Sequence, residues 1–147
     1  MRFQPHVTVA AVAEREGRFL MVRERIDERT RYNQPAGHLE AGESLLDAVA
    51  RETIEETAWS FRPEALIGLY RWVSPSGSTF LRVTFAGTVG DHAPDRALDE
   101  GVEAAEWLTH DAVCALGKQL RSPLVLQSID DYLQGRRYPL DLLRELA

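Results

Sequence analysis

Three glutamates, Glu52, Glu55 and Glu56, stand three and four residues apart in the run Arg51-Glu52-Thr53-Ile54-Glu55-Glu56. In a helix turning about 100° per residue, that spacing crowds three carboxylates onto one face. Carboxylates held so close repel one another and raise each other's pKa unless a cation lies among them. On a merely solvated face, Lys or Arg one turn on would balance the charge, but the next turn offers Ala58, Trp59 and Ser60. The cluster is therefore built to hold a divalent cation. With a single cysteine and four histidines in the whole chain, hard oxygen donors favour Mg²⁺ or Mn²⁺ over zinc.

Such a helix needs a start, an apolar side and a sheet to lie on. Ser44 precedes the periodic stretch and Asp47 follows three residues later, resembling a capping box with Asp in place of Glu. Leu46, Val49, Ala50, Thr53 and Thr57 form the stripe expected to pack on the sheet, with Ala48, Glu52, Glu55 and Glu56 turned to a cleft. Gly37 lets the backbone approach a metal or phosphate closely, and Gly42 permits the turn into the helix. Ala58 is expected to deny the left-handed helix exit that glycine allows.

Around this helix the chain alternates. His6 to Ala13 and Phe19 to Val22 read as strands about a turn at Glu14-Arg15-Glu16-Gly17. Asn33 to Ala36 is extended ahead of the helix. Leu66 to Val73 and Thr79 to Val89 read as strands around Ser74-Pro75-Ser76-Gly77. Ala104 to Leu108 is a shorter strand; Thr109 caps a helix towards Leu116, and a last helix runs from about Pro123 to Gln134 with Leu124, Ile129 and Leu133 buried. Strands flanked by helices on both sides predict an α/β/α sandwich with a mixed central sheet.

The segment Gly37 to Trp59 resembles the Nudix box: a glycine, five residues, a glutamate, seven residues, then Arg-Glu-aliphatic-any-Glu-Glu-any-Gly-aliphatic. Gly37, Glu43, Arg51, Glu52, Glu55 and Glu56 fill it in register. Thr53 and Ala58 depart from it, and Trp59 is aromatic where the pattern has an aliphatic residue. The resemblance implies a Nudix-type fold and a metal-dependent hydrolase, with Gly37, Glu52, Glu55 and Glu56 as metal ligands. It makes Glu43 and Arg51 a structural ion pair. Glu55 is the candidate base, Glu52 shares the catalytic cluster, and Glu103 in the acidic loop Asp99 to Glu103 is a further catalytic candidate.

Both ends of the chain narrow the resemblance. Phe3 to Ala10, Asn33 to Glu40, Leu120 to Val125 and Arg137 to Leu140 are similar to the NudJ-type phosphatases, a subgroup of this family. That likeness implies removal of phosphate from nucleoside tri- and diphosphates and from pyrophosphorylated thiamine precursors. Two alternatives share the box: a MutT-type enzyme splitting oxidised dGTP to pyrophosphate and monophosphate, and an ADP-ribose pyrophosphatase, for which Pro75 is a weak pointer. A non-catalytic Nudix module would have lost box acids. Candidate substrate-binding residues are Gln34, Arg25, Tyr70, Trp72 and Arg82, with Phe80 beside them; core or exposed roles compete for each. His38 is expected to make a supporting hydrogen bond rather than to ligate.

Composition sets outer limits. A chain of 147 residues is expected to form one domain, 1–147. A net charge of −6 argues against non-specific binding to nucleic acid or a membrane surface, and leaves a small phosphorylated molecule as the expected partner. Cys114 cannot form an internal disulfide and is expected to be inert packing in a reducing cytoplasm. No run resembles a signal peptide or spans a bilayer. Pattern alone assigns no stripe to a second copy, so the oligomeric state stays open.

Overall fold

The computed structural model describes residues 2–146. In chain order the elements are β1 (His6–Arg15), β2 (Arg18–Ile26), β3 (Arg29–Asn33), β4 (Ala36–His38), α1 (Leu45–Thr57), β5 (Trp59–Val73), β6 (Thr79–His92), β7 (Val102–Thr109), α2 (His110–Leu116) and α3 (Pro123–Leu133). The strands follow the order β3-β2-β1-β6-β5, with β4 added to β1 and β7 added to β2. β1 and β6 run parallel, from His6 opposite Phe80 to Ala13 opposite Gly87, while the other pairs are antiparallel. The sheet is therefore mixed and open.

Alternation along β1 divides the core. Val9, Ala11 and Ala13 pack with Val83 and Phe85 against Ala48 and Val49 of α1. Val12 packs with Ile67 and Ala86 against Val113 of α2 and Val125 and Ile129 of α3. Helices on both faces complete the α/β/α sandwich that the alternation predicts.

Helix α1 begins as its sequence requires: the Ser44 hydroxyl accepts from the Asp47 N–H at 3.0 Å. Its buried face carries two threonines without an orphaned hydroxyl. Thr53 donates to the Val49 carbonyl at 2.7 Å, and Thr57 to the Thr53 carbonyl at 2.6 Å. Thr109 and Ser122 cap α2 and α3 in the same way as Ser44.

Six expectations need correction. Ala48 is fully buried in the core rather than turned to the cleft, because the stripe is wider than its apolar members suggest. Ala58 does leave the helix left-handed, at φ 63°, its N–H reaching the Ile54 carbonyl. Strand β5 starts at Trp59, directly after that exit, and β3 is a strand that the sequence did not announce. Its hairpin turns through Asp27 and Glu28, both at positive φ, with no glycine to mark them. Leu133 is 49% exposed and Cys114 is exposed, since the last turn of α3 and the outer side of α2 overhang the sheet.

Candidate active site

The acidic face of α1 opens onto a cleft of about 520 Å³, reached also from β2, β4, β5, β6 and the loop before β7. Gly37, Glu56, Arg25, Trp72, Arg82 and Asp99 lie along it. Glu52, Glu55 and Asp99 each present a carboxylate oxygen within 4.8 Å of the others. That is an all-oxygen donor set spaced to share one cation, and it fits a hard divalent ion.

Gly37 is required by contact. A Cβ there would meet the Glu52 carboxyl carbon at 2.1 Å, so only glycine lets β4 pass under Glu52. Arg51 ties the box together. Its Nε and Nη2 donate to the two oxygens of Glu43 at 2.9 and 2.7 Å. Its Nη1 reaches Glu52 at 2.9 Å and Glu55 at 3.2 Å, and Nη2 also donates to the His38 carbonyl at 3.1 Å. This forked pairing holds the Glu43 carboxyl below the usual carboxylate range and raises the Arg51 guanidinium above its own.

Glu56 behaves differently from its neighbours. It is 9% exposed, and its Oε1 accepts from the Ala36 N–H at 2.9 Å. Burial pushes its pKa up to about 8 against that hydrogen bond, and Glu24, Glu52 and Asp99 add repulsion. Burial raises Glu52 too, with Arg51 opposing it. Glu56 lines the cleft, while the shared 4.8 Å approach is made by Glu52, Glu55 and Asp99.

The acidic loop contributes Asp99. The Asp99 N–H donates to the Glu55 carbonyl at 3.0 Å and the Arg25 N–H to the Gly101 carbonyl at 2.8 Å, clamping the loop between α1 and β2. Past that clamp β7 begins, and Glu103 is carried away to Arg23 at 3.9 Å. Asp99 was inside the segment singled out in the sequence; which acid would face α1 depended on the clamp.

The expected substrate residues divide. Arg25, Trp72 and Arg82 line the cleft, as does Phe80. Arg82 is 7% exposed at its floor, which excludes the exposed charge of the two roles weighed for it, and burial lowers its pKa to about 10. Gln34 is 1% exposed and does not line the cleft; its amide donates to the Val125 carbonyl at 2.7 Å and to Ser128 at 2.6 Å. Tyr70 is on the same sheet face as Arg82, its cross-strand partner, but lies under α3 and donates to Asp131 at 2.6 Å. His38 meets His6 at 3.1 Å and is held below the ordinary histidine range by burial and by His6. Thr8, Glu24 and Asn33 also line the cleft and were not singled out for it, and Arg121, expected either there or in a helix-end salt bridge, lines it too. Only Glu24 with Arg121, paired at 2.6 Å, carried a charge signal, and nothing in the sequence brings them together across 97 positions.

An open mixed sheet between helices, with an acidic helix face over a polar cleft, defines a hydrolase of the phosphate-processing kind. The NUDIX domain model matches residues 2–127. The chain is 43% identical to the phosphatase NudJ of Escherichia coli K12 over 141 residues, 96% of this chain and 92% of that one. A solved NUDIX hydrolase from Nitrosomonas europaea superposes with a TM-score of 0.95 at 48% identity, covering 97% of this chain and 98% of the other. A MutT NUDIX hydrolase from Burkholderia pseudomallei shares the fold, with a TM-score of 0.68 at 23% identity over 90% of this chain and 99% of its own. The chain belongs to the Nudix family, as an enzyme acting on phosphoric anhydride bonds.

Proposed function

We propose that this enzyme releases orthophosphate from nucleoside tri- and diphosphates and acts on pyrophosphorylated thiamine precursors, with Mg²⁺ or Mn²⁺, in the cytoplasm. The observation that carries the metal site is the shared approach of Glu52, Glu55 and Asp99 beside the phosphate-sized cleft. The choice of bond rests on the similarity to the phosphatase NudJ along nearly the whole chain. A divalent ion bound there would neutralise phosphate oxygens and acidify a water.

The chain's own residues supply the rest. The ion would be held by Glu52, Glu55, Glu56 and the Gly37 carbonyl, joined by Asp99. Glu55, at 28% side-chain exposure, takes the proton of the attacking water. Arg51 keeps Glu52 and Glu55 aligned, and Arg25 and Arg82 orient the substrate. Asp99 replaces Glu103 in the role given to the acidic loop.

The test is a panel of GTP, GDP, oxidised dGTP, ADP-ribose and thiamine pyrophosphate with Mg²⁺, scored by phosphorus NMR. Orthophosphate from both GTP and GDP is expected, and none after chelation. Pyrophosphate from oxidised dGTP alone, or AMP from ADP-ribose, would transfer the enzyme to a MutT-type or ADP-ribose activity. Turnover that survives chelation would exclude this use of the acidic cluster.

A further inference from the structure

Gln34 comes just ahead of the box, yet its side chain turns inward to α3 and is 1% exposed. Its Nε2 donates to the Val125 carbonyl at 2.7 Å and to Ser128 Oγ at 2.6 Å. Ser128 in turn donates to the Val125 carbonyl at 3.1 Å, so the three groups close a buried triangle. A carboxamide has two N–H donors and one oxygen, and that oxygen would be repelled by the Val125 carbonyl. Both donors are therefore spent on α3, and the oxygen is left to face away. There it meets Arg82, whose Nη1 lies 3.4 Å from Gln34 Oε1.

Arg82 has little else to hold it. It lies within β6, lines the cleft and makes no ion pair among the described residues. The Glu24 carboxylate, which acts on it, is taken by Arg121 at 2.6 Å. A long side chain without fixed partners spreads over several rotamers, and holding it in one costs entropy. The direction of the Arg82 fork is thus set by the Gln34 oxygen, and the Gln34 oxygen is set by α3.

We propose that Gln34 is a positioning residue for substrate binding, which acts by aiming the Arg82 guanidinium at the substrate's phosphate. This relay rests on the reading in which Arg82 orients a phosphorylated substrate, and it supplies what aims Arg82. Phosphate oxygens are the acceptors that a guanidinium fork matches. The acids are anchored separately. The Pro35 carbonyl accepts from the Ala11 N–H at 2.9 Å, the Ala36 N–H donates to Glu56 at 2.9 Å, and β4 is paired to β1. Loss of the Gln34 amide therefore releases Arg82 and leaves the acidic cluster in place.

The experiment is a double-mutant cycle on the full chain: wild type, Gln34→Met, Arg82→Met and both together. Each is assayed for orthophosphate release from GTP with Mg²⁺, and thermal unfolding checks that each folds. Gln34→Asn, too short to span α3 and Arg82 together, stands in where Gln34→Met does not fold. Each single variant should raise KM about tenfold or more, with kcat within about twofold and the Mg²⁺ dependence unchanged. The double variant should lose no more than Arg82→Met alone, because a relay cut at either end is cut once. Binding of the β,γ-imido analogue of GTP, measured by calorimetry with Mg²⁺, should weaken in the same pattern. Multiplying losses in KM, an unchanged KM in Gln34→Met, or a loss confined to kcat would overturn the relay. Silence on every phosphate substrate, with analogue binding that still follows the cycle, would remove the hydrolytic reading and leave the relay standing. Silence without such binding would overturn both.

Discussion

Glu56→Gln separates stability from activity at one atom. Glutamine keeps an oxygen for the Ala36 N–H and removes only the ionisable proton. In the metal-free protein burial pushes the Glu56 carboxyl up to about 8, against an ordinary value of 4.5. For a raised carboxyl the sign is fixed: its contribution is whole below pH 4.5 and is lost as pH rises through about 8. At pH 7 the folded state still holds a proton that the unfolded chain has released, a penalty of roughly 3 kcal/mol. Glutamine escapes that penalty, so Glu56→Gln should stabilise the chelated protein by up to about 3 kcal/mol at pH 7. That corresponds to roughly 6–12 °C in Tm. The gain should vanish near pH 4.5 and grow to about 5 kcal/mol above pH 8. Activity should fall at least ~100-fold, because glutamine cannot ionise in support of a divalent ion. Thermal unfolding in EDTA at pH 4.5, 7 and 9, beside phosphate release with Mg²⁺, reads both arms. Parallel pH profiles for the two proteins would refute the buried-proton account, and normal turnover in the folded variant would refute the site.

Gly37→Ala should cost activity out of proportion to stability. Its Cβ would overlap the Glu52 carboxyl, so the carboxylate must swing away and turnover should drop by about 100-fold or more in a steady-state assay. Ala58 tests the helix exit. Glycine there relieves about 1–2 kcal/mol of left-handed strain but loses a buried methyl worth about 0.8 kcal/mol, so urea unfolding should shift by less than about 1 kcal/mol. Valine at 58 combines a positive φ with a branched side chain at a site 3% exposed and should cost at least about 2 kcal/mol.

What was legible in the sequence was local. The acidic face follows from helical spacing, and the caps at Ser44, Thr109 and Ser122 from side chains that bond within a few residues. The layering follows from alternation in β1. Depth was not legible. Tyr70 and Arg82 are cross-strand partners on one sheet face, yet α3 covers Tyr70 and leaves Arg82 at the cleft floor. Glu56 shares its spacing with Glu52 and Glu55, but the Ala36 N–H of β4 draws it under the sheet edge. Gln34 sits immediately before the box and still faces α3, 91 positions away.

The same distinction explains the acidic loop. Asp99 and Glu103 are interchangeable as letters, and two backbone bonds to α1 and β2 decide which meets Glu55. Side-chain type thus announced an acidic cluster of the donors a divalent cation prefers. Long-range backbone closure decides how many acids share it, and what the floor beside it can recognise. Of the polar residues on the cleft floor, Thr8 and Asn33 were unremarked in one dimension, whereas Arg82 was among the substrate candidates. They come together only because β1 and β6 run parallel and β3 closes the side. The acidic cluster joins one helix to one loop, whereas the cleft floor is a property of the assembled sheet. Substitutions confined to that floor should therefore change which phosphate ester is chosen without moving the acids that act on it.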